Sequence, residues 1–408
     1  MVVKNIGYLY VIQLLRLCLP LALLSMLTRV LTEAQYSVYV YALASSAWLS
    51  IFVEYGFNIS ATRRIAASGE PANTWAVVTE TQSAKWILAT LSVVFLVWAL
   101  TQSTVFSPYP EWAIGAWLLG VITGLTPTYY FQAISSLGTM AVLEVVGGLI
   151  TFCCVLFVRS SADFNLLCAV LVGVRFFIWQ ILERSMLTKG KVRHRDVFGI
   201  RPGLSALKDG WRIFLVQAAA SLYTSFNVVL LGGVSTAYAV AVYGSSERLL
   251  RAGLSFIAQA TSAIFPRLNV LKATSPERLG RFRRLTLAIF FTGSMACVPV
   301  VYLLAPAISD MLFHNKLPDL VDVLRIMALV IPAIAISNVL AVHFLVVDRK
   351  ENLVNLVVFS AVPISLIGGY FLSREYGAAG MATAWVMVEW IVVIFLASIV
   401  FARPKSFK

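Results

Sequence analysis

Hydrophobic residues along the chain gather into twelve long blocks, at about 5–27, 36–57, 83–103, 111–133, 138–158, 164–188, 209–231, 238–265, 285–305, 321–345, 352–371 and 378–402, separated by short polar or basic connections. Each block provides roughly the 20 apolar residues that one helix needs to cross the hydrocarbon core of a bilayer. Backbone groups in lipid must be satisfied within their own element, so continuous runs of this length are helices, and nothing in the pattern resembles the short alternating segments of a membrane barrel. The pattern predicts an all-α integral membrane protein of twelve transmembrane helices. The first block follows Lys4 and sits where a signal peptide would, but its length, its Arg16 and the lack of a small-x-small cleavage site make it the first span.

The longest polar connection is the basic stretch from Lys189 to Lys208, which divides the chain near its middle. It predicts an N-terminal six-helix lobe over 1–188, a basic cytoplasmic linker over 189–208 and a C-terminal six-helix lobe over 209–408. An offset of 202 residues aligns Tyr36, Val38, Val40 and Tyr41 with Tyr238, Val240, Val242 and Tyr243, and Ser60-Ala61 with Ser262-Ala263. Because six is even, both halves start on the same side of the membrane, which implies a parallel, pseudo-symmetric repeat with its axis along the membrane normal. Two such bundles facing one another are a usual means of alternating access.

Composition changes the picture by exclusion. The chain of 408 residues is 60% apolar and 12% charged, against roughly 45–50% and 25% in soluble domains, so a soluble enzyme is ruled out. A formal net charge of +13 would suggest nucleic acid in a soluble chain; here the cations sort by side. Twenty lie in the connections on the side of both termini, and only Arg29, Arg159, Lys316 and Arg374 lie on the other. That asymmetry puts both termini in the cytoplasm and leaves no nucleic-acid partner to explain the charge. Cys18, Cys153, Cys154, Cys168 and Cys297 all fall in apolar blocks and read as small core residues, not as a disulfide framework or a metal site. His194, His314 and His343 are scattered, there is no Asp-x-Asp motif, no nucleophile triad and no phosphate-cradling glycine loop. The external connections are about 15 residues at most, too short for the catalytic domain of a membrane polymerase or transferase. The expectation is a non-enzyme with no catalytic residues, no metal and no cofactor.

Function should then sit in the ionisable residues that the spans tolerate, each costing roughly 2.5–3.5 kcal/mol at a helix centre. The cations are Arg16, Arg175, Arg248, Arg251 and Arg325; the carboxylates are Glu54, Glu144, Glu183, Glu247 and Glu389. In span eight, Glu247 reaches Arg251 at the four-residue spacing, and Arg248 shares a face with Arg251. A self-neutralising pair that fixes packing is one reading. It leaves one arginine uncompensated, and a buried cation without a partner attracts an anionic ligand. In span one, Gln13, Arg16 and Pro20 form a polar stripe ending at a helix-kinking proline; in span seven, Gln217, Ser221 and Thr224 do the same. These stripes either face a cavity or hydrogen-bond between helices. Arg175 stands two turns before Glu183, and Arg325 one turn inside span ten near Asp322, where snorkelling is the alternative to a ligand role. Glu54, Glu144, Glu247 and Glu389 are candidates for ion coupling, with pairing to the arginines as the alternative. Interfacial belts account for most of the aromatic residues, including Tyr129, Tyr130 and Phe131.

Several stretches, in order and spacing, resemble one family. They are Asn5 through Tyr36 with Pro20 and Thr28-Arg29-Val30-Leu31, then Glu54-Tyr55-Gly56-Phe57-Asn58 leading into Ser60-Ala61-Thr62-Arg63, then Tyr130-Phe131-Gln132, and Ser221-Leu222-Tyr223 followed by Glu247-Arg248-Leu249-Leu250-Arg251. The chain resembles the bacterial oligosaccharide repeat-unit flippases of Wzx type, in the multidrug/oligosaccharidyl-lipid/polysaccharide exporter superfamily. It departs from them in having Thr32-Glu33 where glycine is usual and Arg64 where an acidic residue is common. The resemblance implies two six-helix lobes around a central cavity in the inner membrane. The implied substrate is an oligosaccharide on an undecaprenyl diphosphate carrier, moved from the cytoplasmic to the outer leaflet for O-antigen, capsule or exopolysaccharide synthesis. A diphosphate is a dense anion that would be drawn to Arg16, Arg248 and Arg251 in a low-dielectric cavity, with Arg175 and Arg325 as further candidates. A polysaccharide polymerase and a chain-length regulator are the expected protein partners, and H+ or Na+ the expected coupling ion. The competing readings are a cation-coupled drug or metabolite exporter of the same superfamily, and a membrane polymerase.

Overall fold

The structure, a computed structural model, describes residues 19–67, 71–190 and 194–401. It divides into two compact units, with the boundary between Ser221 and Leu222. Among the described residues there are helices and no strands.

The first unit runs through α1 (Leu19–Val30), α2 (Glu33–Glu54), α3 (Phe57–Ala67), α4 (Pro71–Leu91), α5 (Val93–Gln102), α6 (Pro110–Leu125), α7 (Thr128–Ala133), α8 (Leu137–Val155), α9 (Phe164–Gly190) and α10 (Ile200–Thr224), whose last turn passes the boundary. The second holds α11 (Asn227–Val234), α12 (Ala237–Thr274), α13 (Pro276–Phe313), α14 (Leu320–Met327), α15 (Val330–Asn338), a π-helix over Val339–Val346, and α16 (Glu351–Phe401). Among the described residues, seven helical stretches are long and apolar enough to cross a membrane, or eight when α10 and α11, bent by 56°, form one span. Their outward faces are apolar and uncovered: α13 buries only 6% of its most apolar stretch, and Phe177, Leu303 and Met311 are exposed. Such faces are stable in lipid, so the chain is a multi-pass membrane protein.

Local chemistry sets the helix ends. Thr32 caps α2 through a reciprocal box, its hydroxyl accepting from Gln35 N–H (3.3 Å) while its own N–H donates to Gln35 Oε1 (3.2 Å). Thr236 caps α12 by accepting from Ala239 N–H at 3.2 Å. The residues aligned by the internal repeat thus lie in the first turns of two helices, each capped by a threonine, and Val40, Tyr41, Val242 and Tyr243 are all buried. α2 packs along α6, where a Cβ on Gly120 would meet Leu49 at 2.8 Å and one on Gly124 would meet Val53 at 2.5 Å. Small residues four apart let the two backbones approach where lipid provides no hydrophobic drive between helices. At Gly377, φ is 57° and ψ −128°, a conformation that glycine adopts without steric penalty. The chain doubles back there, since a Cβ on Gly380 would stand 1.9 Å from Leu372 O. This turn separates the eleventh and twelfth apolar blocks.

Two boundaries differ from those read in the sequence. The helix that carries the third span begins at Pro71, ahead of the apolar block that starts near 83, because α4 opens with polar residues that extend the helix without adding hydrophobicity. The basic stretch around 266–284 is helix apart from the break at Ser275. Arg and Lys are good helix formers, so a charged segment ends the apolar signal without ending the helix. α12 and α13, each 38 residues, are about 57 Å long at 1.5 Å per residue, well beyond the ~30 Å of a bilayer core.

Candidate functional site

In the first unit a buried polar cluster joins α4, α6, α7 and α9. Lys85 has no accessible surface; its Nζ donates to Thr126 O at 2.9 Å and lies 5.0 Å from the Tyr129 ring centroid. Two carboxylates, Glu54 and Glu183, are near enough to act on its charge. Glu183, 1% exposed, accepts from Gln82 Nε2 (2.8 Å) and Trp179 Nε1 (3.0 Å). Burying charges is tolerable only when they are paired and hydrogen-bonded, and these residues meet that condition together. The sequence reading missed Lys85, because placing the span start near 83 made it an interfacial residue; in α4 it stands four turns inside the helix. It also left Gln82 aside, and took Tyr129, Tyr130 and Phe131 for a belt although all three are buried in the core.

Glu54 lies at the end of α2, where Tyr55 (φ 54°) and Gly56 (φ 75°) break the helix before α3. Its Oε1 accepts from Asn58 N–H at 2.8 Å and its Oε2 from Gln217 Nε2 of α10 at 3.1 Å. The span-seven stripe does therefore point inward at Gln217. At Ser221 the hydroxyl bonds back to Ala218 O at 2.9 Å, within its own helix.

Arg175 and Glu144, from α9 and α8, form an ion pair at 2.6 Å, and Arg175 Nε also donates to Thr123 Oγ1 at 3.0 Å. Both border a cavity of about 830 Å³ whose other walls include Pro20, Leu119, Met140 and Thr151. Pro20 continues the stripe that Gln13 and Arg16 begin; those two residues lie outside the described residues.

In the second unit, Arg251 of α12 is held on three sides. Nε (2.7 Å) and Nη2 (2.6 Å) both reach Glu247 Oε1, Nη2 also donates to the Thr224 carbonyl, and the guanidinium lies 5.3 Å from the Trp385 ring centroid. Trp385 Nε1 donates to Glu389 Oε1 at 3.1 Å. Glu247 and Glu389 are buried, whereas 38% of the Arg251 side chain remains accessible. Arg248, one residue after Glu247, is half-buried. The sequence reading left one arginine of this pair uncompensated. Folding brings a second carboxylate, Glu389 from α16, close enough to act on Arg251. Arg325, in the last turn of α14, pairs with Asp322 of the first turn at 3.5 Å and lies 4.5 Å from the Tyr302 ring centroid.

A multi-pass helical protein with buried ion clusters in each of two units has the build of a membrane transporter. The profile of the family described as polysaccharide biosynthesis protein matches residues 2–272. The chain belongs to that family. It is 26% identical over 402 residues to a candidate O-antigen transporter of Shigella dysenteriae, covering 96% of this chain and 98% of the relative. Among solved structures, it resembles the lipid II flippase MurJ in an inward closed conformation, with a TM-score of 0.73 at 12% identity over 97% of this chain and 87% of that one. It also resembles a MATE-family multidrug resistance transporter of the MOP superfamily in an inward-facing conformation, with a TM-score of 0.69 at 14% identity over 97% and 100%. The fold is the two-lobe MOP fold.

Proposed function

We propose that the protein is a flippase for polyprenyl-diphosphate-linked oligosaccharide repeat units in polysaccharide biosynthesis, working by alternating access of two six-helix lobes and not as an enzyme. The observation that carries this reading is Arg251: three partners fix its guanidinium, yet part of the side chain stays open to a ligand. A fixed guanidinium offers planar paired donors to a phosphate oxygen without further loss of side-chain freedom. Glu247 and Glu389 keep the site near neutral when empty, so an arriving diphosphate has to compete with carboxylates and is held loosely enough to be released on the other side. Arg248 completes the pair, and Arg16 and Arg175 are its proposed counterparts in the first unit. Both termini and the basic linker are assigned to the cytoplasm of a bacterial inner membrane, from the cation asymmetry. A polymerase and a chain-length regulator are the proposed protein partners.

The test is the pair of variants Arg251→Ala and Arg248→Ala/Arg251→Ala in a strain lacking the native gene. Surface polysaccharide should be lost, and lipid-linked repeat units should accumulate facing the cytoplasm while membrane abundance of the protein is kept. Normal surface polysaccharide in the double variant would overturn the assignment of these residues. Accumulated drug or metabolite with normal polysaccharide would instead support an exporter.

A further inference from the structure

A further cavity in the first unit, of about 260 Å³, lies where α3, α4 and α10 meet. Its polar walls are Ser60, Arg63 and Arg64 of α3, Thr81 of α4 and Asp209 of α10, with Phe57 and Ile213 among the apolar ones. Thr81 is 1% exposed and its hydroxyl has no hydrogen-bond partner. Other buried threonines of this chain bond back to a carbonyl of their own helix, Thr151 to Gly147 at 2.9 Å, Thr261 to Ile257 at 3.0 Å and Thr286 to Arg283 at 2.9 Å. Thr81 does not, and an unmade buried hydroxyl costs free energy that a ligand atom can return. Arg63 and Asp209 are exposed and enter no ion pair among the described residues. The walls are fixed from behind. Arg64 pairs with Glu80 of α4 at 2.7 Å, Gly199 N–H donates to Ser83 Oγ at 3.0 Å just ahead of α10, and a Cβ on Gly203 would stand 3.0 Å from Ala84 N.

A guanidinium only donates hydrogen bonds, a carboxylate only accepts them, and a threonine hydroxyl does either. A phosphate offers acceptors alone, so Asp209 would oppose it, and two arginines would oppose a metal cation. A ligand hydroxyl both donates and accepts. A ring that carries several of them satisfies all three kinds of wall at once, while its C–H face lies against apolar side chains. We infer that this cavity binds a sugar ring. Its volume is below the roughly 300–1,000 Å³ of sites for drug-sized ligands and suits one ring, which leaves the rest of a longer glycan in solvent. Arg63 and Arg64 are among the cations whose side of the membrane the charge asymmetry assigns to the cytoplasm. What the sugar belongs to rests on the proposed function: it is one residue of the repeat unit's glycan, held before translocation by groups other than those proposed for the diphosphate.

The experiment uses the purified full-length protein in detergent micelles and two probes. One is the repeat-unit oligosaccharide released by hydrolysis from the cells' own surface polysaccharide; the other is the lipid-linked repeat unit extracted from their membranes. A ligand that binds only the folded state raises the thermal midpoint with its concentration. Both probes should raise it, and potassium phosphate at matched ionic strength should not. Thr81→Val removes the hydroxyl and keeps the shape. Its midpoint without ligand should be unchanged or raised, whereas apparent affinity for the released oligosaccharide should fall roughly tenfold, the scale of one hydrogen bond. Asp209→Ala and Arg63→Ala should each weaken binding by a similar factor; both residues are exposed, so these variants decide the question should Thr81→Val fail to fold. The oligosaccharide response should persist in Arg248→Ala/Arg251→Ala. No rise with the oligosaccharide in the wild-type protein would overturn the inference, as would a rise that survives all three substitutions, or one that phosphate reproduces, which would make the cavity an anion site. A Thr81-dependent response to the released oligosaccharide but not to the lipid-linked form would keep the sugar site and remove it from the substrate's path. The flippase reading fails separately, through normal surface polysaccharide in cells that lack the gene.

Discussion

Lys85 Nζ donates to the carbonyl oxygen of Thr126 at 2.9 Å from a position with no accessible surface. The bond ties α4 to the residue where α6 ends, and it holds a positive charge on which two carboxylates of the first unit, Glu54 and Glu183, act. Such a charge is a weak source of net stability, because desolvation offsets its attractions, but removing one member leaves the others buried without compensation.

Lys85→Met keeps the length of the side chain and removes the ammonium. It should destabilise the protein by about 3–5 kcal/mol, seen as a lowered unfolding midpoint in detergent and reduced abundance in membranes. Lys85→Met/Glu183→Gln should recover part of that loss, since the second change removes a carboxylate that the first left unmatched. An unchanged midpoint in the single variant would show that the ammonium does not hold this cluster together.

The α2–α6 contact gives a second expectation. A leucine at Gly124 has to displace Val53, whose Cβ would lie 2.5 Å from the new Cβ, and Ser50 O at 3.0 Å. Overpacking of this kind costs about 1–3 kcal/mol. Gly173→Ala in α9 meets nothing within 4 Å and should leave the midpoint unchanged or slightly raised, so comparing the two separates close approach from helix propensity.

Outside the spans, Asp348 links the end of the π-helix to the long α12–α13 hairpin. Arg283 reaches it at 2.8 Å and Lys272 at 3.6 Å, and Arg283 also donates to His343 O at 2.8 Å. Partial burial acts to raise the Asp348 carboxyl, but the hydrogen bonds and charges of Arg283 and Lys272 outweigh it and hold the group below its ordinary 3.8. A folded-state value below the unfolded one contributes stability above the ordinary value, and that contribution is lost as pH falls through the folded one. Hydrogen exchange at residues 343–350 should therefore accelerate, after correction for intrinsic rates, as pH is lowered below about 4. Asp348→Asn should show the faster exchange already at neutral pH and little further dependence on acid. Acid-insensitive exchange in the wild-type protein would contradict the link.

The helical class was legible from hydrophobicity alone. Apolar runs in a polar-poor chain leave the backbone no other way to satisfy its hydrogen bonds, and every apolar block within the described residues is helical. The stretches matched in the sequence, Tyr36–Tyr41 and Tyr238–Tyr243, both fall near the start of a helix, α2 and α12, where Val38, Val40 and Tyr41 are buried as are Val240, Val242 and Tyr243. Part of the site was readable from spacing: Glu247 and Arg251 are four apart on one helix, and helical geometry brings them together whatever the rest of the fold does.

What tertiary structure alone decided is the pairing between helices. Glu144 stands 31 residues before Arg175, Glu54 lies 163 residues before Gln217, and Glu389 of α16 acts on Arg251 of α12. No periodicity encodes such distances, because they depend on which faces meet after the helices pack. Lys85 shows the same limit from the other side. Hydrophobicity marks where apolar side chains begin, whereas a helix begins where its backbone bonds begin, and in α4 the two differ by about three turns. The sequence by itself determined a membrane-spanning helical chain with charges to spare; packing decided which of those charges meet a partner from another helix and how far each is buried.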